Sequence, residues 1–174
     1  GAVQIAPVAE RAGVATGTVY RYFPSKTELV EALVAALAER EMAAVGEAAK
    51  SAPGPLSALA AAIATFAARA LARRRLAFAL TAEPVEPEID RARAAYRQKL
   101  TGEFARLIRR ALDAGRLPEQ DAALVAPALL GALIEGLIGE HAPTAPTNPG
   151  EARARVQMLT LFALRALGVN DARA

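Results

Sequence analysis

Forty-five of the 174 residues are alanine, and that excess constrains the fold more than any other feature. Alanine loses no side-chain entropy in a helix and buries no polar group there. β-Branched residues are sparse and 5% of the chain is aromatic, which leaves little to build a sheet from. With 53% hydrophobic and 22% charged residues, a packed core is attainable and wholesale disorder is excluded. No strand pattern of any length and no internal repeat is present. The expected fold class is all-α, with about two short helices and five or six longer ones.

Composition also removes function classes. Without cysteine there is no disulfide scaffold, thiolate zinc site or cysteine nucleophile. A single histidine argues against His-rich metal sites and multi-histidine relays. No G-x-S-x-G, P-loop or dinucleotide fingerprint occurs. Glu83, Glu86 and Glu88 come nearest to paired carboxylates, but Pro84 and Pro87 make that stretch read as a surface linker. The expectation is therefore no enzyme, no cofactor and no metal. The longest uncharged apolar runs, Leu56–Ala68 and Ala122–Ile134, are each near 13 residues. A membrane helix needs roughly 20, so no membrane partner is expected and the chain reads as cytoplasmic. The opening GAVQIAP has neither the basic nor the apolar region of a secretory signal. It begins inside a helix-forming pattern, so residues preceding Gly1 are expected. The net charge of +3, carried by 18 Arg and 3 Lys, fits an anionic partner without demanding one.

Glycine, proline and capping residues divide the chain. A short helix reads from Gln4 to Arg11 and is punctuated by Gly13, which tolerates positive φ. A second runs from about Thr16 to Tyr22 and stops before Pro24. Ser25 and Glu28 form a capping box opening a long helix to about Lys50, with Leu29, Leu33, Ala36 and Leu37 as its inward stripe. Ser51-Ala-Pro-Gly-Pro55 and Glu83-Pro-Val-Glu-Pro87 are breakers. Between them, Leu56, Leu59, Ile63, Phe66 and Ala70 repeat at helical spacing, interrupted by Arg73-Arg74-Arg75. Glu88–Ala114 is amphipathic through Ile89, Tyr96, Leu100, Phe104, Leu107 and Ala111, and Gly115 caps it. A helix opened by Asp121 runs to about Glu140, a proline-rich loop spans His141–Pro149, and a last helix runs from Glu151 to Leu167.

Residues 5–30, IAPVAERAGVATGTVYRYFPSKTELV, carry the functional signal. Two short helices joined by a tight glycine turn and followed by a capped support helix make a helix-turn-helix. Ile5, Val14 and Val19 can form a miniature core with Ala9 at the close crossing, leaving Thr16, Gly17, Thr18, Tyr20 and Arg21 to project outward.

This stretch resembles the DNA-binding signature of the TetR family of bacterial transcriptional regulators, roughly IA-x-x-AGVS-x-G-x-(L/V)-Y-x-(H/Y)-F-x-(S/N)-K-x-x-L. The match covers about 27 residues, and nearly every constrained position fits. Ala15 departs from the usual Ser or Thr and removes a cap or phosphate-contacting hydroxyl; Pro7 falls in the first helical turn, where proline is tolerated. The resemblance implies that Thr16, Gly17 and Thr18 approach base edges, that Tyr20 and Arg21 contact phosphate or bases, and that Lys26 holds a phosphate at a helix N-terminus. It places Gln4 at the DNA backbone, and Tyr22 and Phe23 in the small core. It also implies a helix-turn-helix domain over residues 1–48, lacking the family's first helix, and a helical ligand-binding and dimerisation domain over residues 49–174.

The last two helices are apolar on more than one face, through Leu129, Leu130, Leu133 and Leu137 in one and Val156, Leu159, Phe162 and Leu164 in the other. One face can meet the chain's own core and the other a second copy, with Gly131, Gly136 and Gly139 allowing close approach. The expected partners are thus double-stranded operator DNA, a homodimer through these helices and an unidentified small-molecule effector. Candidate pocket residues are Phe66, Phe78, Tyr96, Leu100, Phe104, Leu130, Ile134 and Glu135, most of which would serve equally as plain core. Glu135, amid Leu133, Ile134, Leu137 and Ile138, is either solvated, paired with an arginine or used by a ligand. Arg69, Arg73, Arg74 and Arg75 read as a solvated helix end, with an anionic-effector site as the other reading. The expected function is a ligand-responsive repressor; the competing one is a helical dimeric interaction or small-molecule-binding module without sequence-specific DNA binding.

Overall fold

The computed structural model describes residues 4–81 and 87–170, and among them it shows eight helices and no strand. They are α1 (Ile5–Ala12), α2 (Thr16–Tyr22), α3 (Lys26–Ser51), α4 (Pro55–Ala72), α5 (Arg74–Thr81), α6 (Pro87–Asp113), α7 (Ala122–Ile138) and α8 (Pro149–Ala166). Their ends follow local chemistry. Gly13 and Gly115 take φ of +68° and +64°, which a Cβ would disfavour, and so close α1 and the turn after α6. The Glu28 amide donates to Ser25 Oγ at 3.1 Å, the Ala123 amide to Asp121 Oδ1 at 2.8 Å and the Glu151 amide to Asn148 Oδ1 at 2.9 Å, capping α3, α7 and α8. The Glu83–Glu86 part of the second breaker lies outside the described residues.

Apolar burial falls into two clusters. The large one joins α3 through α8, and Leu59, Ile63, Leu100, Phe104, Leu107 and Leu133 are fully buried in it. Burying each such side chain contributes about 1.5–3 kcal/mol. Phe66 meets Phe104 edge-on with centroids 6.2 Å apart. The small cluster is Ile5, Ala9 and Val19, with Phe23 and Leu29 packed against it. α3 therefore belongs to both: its first turns hold the small cluster through Leu29, and its remainder lies on α4 and α6.

Several expectations are corrected. The inward stripe of α3 is Val34, Ala38, Val45 and Ala49, while Leu33 and Ala36 are exposed. Alanines all round this helix blur its polarity, so packing against α4 and α6 decides its rotation. Val14 is 41% exposed and Tyr22 68%, so neither fills the small core; Ala9 and Phe23 do. α4 runs for 18 residues and is long and apolar enough, by length and composition alone, to cross a membrane, beyond the 13-residue run seen in sequence. Here it packs among α3, α6, α7 and α8. The arginine run is not a uniformly solvated end. Arg69 pairs with Glu41, and Arg74 Nη1 donates to the Pro143 carbonyl at 2.9 Å. Gly136 serves an approach within the chain, where an added Cβ would lie 3.4 Å from Leu159 Cδ2.

Candidate nucleic-acid interface and effector cavity

α2 is seven residues long and buries Val19 alone. That single anchor, over the Ile5–Ala9 shelf of α1, turns the rest of the helix outward. Thr16, Gly17, Tyr20 and Arg21 are exposed, and Thr18 is half-buried. Ala15 occupies the N-cap and supplies no side-chain oxygen. Arg21 lies over the exposed Tyr22 ring, 5.3 Å from its centroid, within cation–π range. Gln4, at the N-cap of α1, and Lys26, opening α3, are also exposed. The exposed groups of this segment are guanidinium, ammonium, phenol, hydroxyl and amide, types suited to phosphates and base edges.

The eight pocket candidates separate. Phe66 and Tyr96 line a small cavity between α3, α4, α5, α6 and α7, about 20 Å³ in volume. Leu100, Phe104, Leu130 and Ile134 are buried in the large core and line neither this cavity nor the groove below. Phe78 is exposed, and so is Glu135, whose Oε1 accepts from the His141 amide at 3.4 Å. Sequence reasoning missed Glu41. Its carboxylate accepts from Arg69 Nε at 2.5 Å and Nη2 at 2.8 Å beside the cavity. Nothing in the α3 pattern distinguishes Glu41 from the other acidic residues of that helix. Burial pushes the Tyr96 hydroxyl pKa up, and the Glu41 carboxylate pushes it the same way, against Arg69. Sequence reasoning also missed a groove of about 800 Å³ where Ala60, Ala64 and Ala68 of α4 leave space beside Val156, Thr160 and Leu164 of α8.

The arrangement is a helix-turn-helix displaying polar and cationic groups, carried on a larger helical bundle. Residues 1–33 match the N-terminal model of the bacterial regulatory proteins of the TetR family. A stretch of 37 residues is 68% identical to the HTH-type transcriptional repressor KstR of Rhodococcus jostii (strain RHA1), covering 21% of this chain and 16% of that one. The whole fold is similar to the fatty acid degradation regulator FadR from Bacillus halodurans, at 19% identity and a TM-score of 0.79 over 97% of this chain and 87% of that one. It is also similar to FadR from Bacillus subtilis in complex with stearoyl-CoA, at 18% identity and a TM-score of 0.73 over 95% and 87%.

Proposed function

We propose that this chain is a ligand-responsive transcriptional regulator, most simply a cytoplasmic repressor with no catalytic role. In this reading residues 1–48 bind DNA, and residues 49–174 dimerise and hold a small effector. The observation that carries it is the outward display of Thr16, Gly17, Tyr20 and Arg21 from a helix anchored by Val19 alone. Thr16, Gly17 and Thr18 approach base edges; Tyr20 and Arg21 reach bases or phosphates; Gln4 and Lys26 hold the backbone. One recognition helix makes few base contacts, so specificity calls for two, about 34–36 Å apart on a two-fold-related site.

Leu124, Met158 and Phe162 support pairing through α7 and α8, because each stands 51–68% exposed on those helices. An effector that binds one dimer geometry better than the other would shift the pitch of the two heads, and only such differential affinity can do so. α3 is the physical link, since it packs in both apolar clusters. Phe66 and Tyr96 are the pocket candidates that reach a cavity. A regulator of similar fold in complex with stearoyl-CoA supports an effector-binding role.

The test is operator affinity at fixed salt for Arg21→Ala and Tyr20→Ala. Arg21→Ala is expected to weaken binding by about 1–3 kcal/mol with unchanged thermal stability. Unchanged affinity in both variants would leave the interaction-module reading standing instead.

A further inference from the structure

Four ionisable groups meet at the small cavity. Glu41 sits midway along α3, the helix whose first turns hold the reading head. Arg69 of α4 grips its carboxylate with two parallel hydrogen bonds, of 2.5 and 2.8 Å. Such a forked pair fixes orientation as well as charge. Tyr96 of α6 lines the same cavity and is 3% exposed, yet its hydroxyl has no hydrogen-bond partner among the described residues. That hydroxyl is not sealed off, because Tyr96 lines the cavity, so it is free to donate to a group that enters. Arg73, the residue that ends α4, lines the cavity too and makes no ion pair among the described residues. The lining thus sets two guanidiniums and a phenol against one carboxylate, beside the apolar Phe66 and Leu80.

We propose that this cavity receives the carboxylate head of an effector with an apolar body, and that the head takes Arg69 away from Glu41. This rests on the reading above that the helical domain holds an effector. The incoming carboxylate accepts from Arg69 and from the Tyr96 hydroxyl, with Arg73 adding positive charge at the rim. The cavity holds about 20 Å³, room for about one water, so a carboxylate enters only as Glu41 swings out. Entry and release of α3 are then one event. Exchanging one arginine–carboxylate pair for another is nearly balanced in energy, while the tie between α3 and α4 is lost. Effector affinity and operator affinity are coupled through that tie.

The experiment uses a DNA duplex selected from a random library with the wild-type protein, and two probes sharing one apolar body, 4-phenylbutyrate and 4-phenylbutanol. Glu41→Gln frees Arg69 without removing side-chain volume. It is expected to bind 4-phenylbutyrate about tenfold more tightly than wild type and the duplex about tenfold more weakly, with 4-phenylbutanol unaffected. A purely structural ion pair would lower thermal stability and leave carboxylate affinity where it was, and that result overturns the proposal. If Glu41→Gln fails to fold, Tyr96→Phe decides: a reduced preference for the carboxylate over the alcohol supports the proposal, and a preference equal to wild type overturns it. Equal binding of both probes by wild type overturns it as well. The comparison of the two probes needs no DNA, so failure of wild type to select any duplex removes the DNA-binding reading alone.

Discussion

Gly168 packs against Pro118 so closely that a Cβ at position 168 would lie 2.4 Å from Pro118 Cγ and 2.8 Å from Cδ. The glycine also takes φ of +88°, outside the range side chains readily adopt. Beside it, Gln120 Nε2 donates to the Leu167 carbonyl at 2.9 Å. This junction fastens the end of α8 to the segment that leads into α7. Gly168→Ala combines backbone strain with a clash and is expected to destabilise the fold by about 1–3 kcal/mol. Urea unfolding checks it, and a midpoint equal to wild type contradicts it.

The pair of helices so fastened displays Leu124, Met158 and Phe162 to solvent. A second copy is the covering surface proposed above. Phe162→Glu places a charge in that interface and removes nothing from the chain's own core, because the residue is 51% exposed. Sedimentation equilibrium should show a monomer of native helicity, with operator binding lost. An unchanged dimer would move the interface elsewhere.

Gly17 has open space where a Cβ would point and an ordinary φ. Gly17→Ala is therefore expected to hold or raise stability, by up to about 1 kcal/mol from helix propensity. If α2 lays this backbone against DNA, the added methyl falls between protein and base edges. Operator affinity should drop while the melting temperature does not. A variant that binds as well as wild type would take Gly17 out of the contact surface.

Lys26 is exposed at the first position of α3, where the helix terminus and the ammonium both favour an anion. Lys26→Ala should weaken binding to all duplexes about equally and lower the slope of log K against log salt by about 1. A change confined to one DNA sequence would point to base contact instead.

The positions of the helices were largely legible in the residues, because their ends are local chemistry: Gly13, the Ser25–Glu28 box, Asp121 and Gly115 act on their own turns. The outward set on α2 was legible too, since only Val19 of that helix has an apolar shelf to rest on. The α6 stripe of Ile89, Tyr96, Leu100, Phe104, Leu107 and Ala111 stands out against charged neighbours; Ile89 is half-buried and the other five are buried. On α3 no such contrast exists, and the stripe was misplaced toward Leu33 and Ala36.

What the amino-acid order determined by itself is the helical class, the approximate helix boundaries and the outward display of α2, all set by interactions spanning a few residues. Tertiary structure alone decided that Glu41 meets Arg69, 28 residues away, that Phe66 and Tyr96 reach a cavity while Leu100 and Phe104 do not, and that Tyr22 stands outside the small core. Alanine-rich helices can rotate about their axes with little change in local energy, so only packing between distant segments selects which side chains come together.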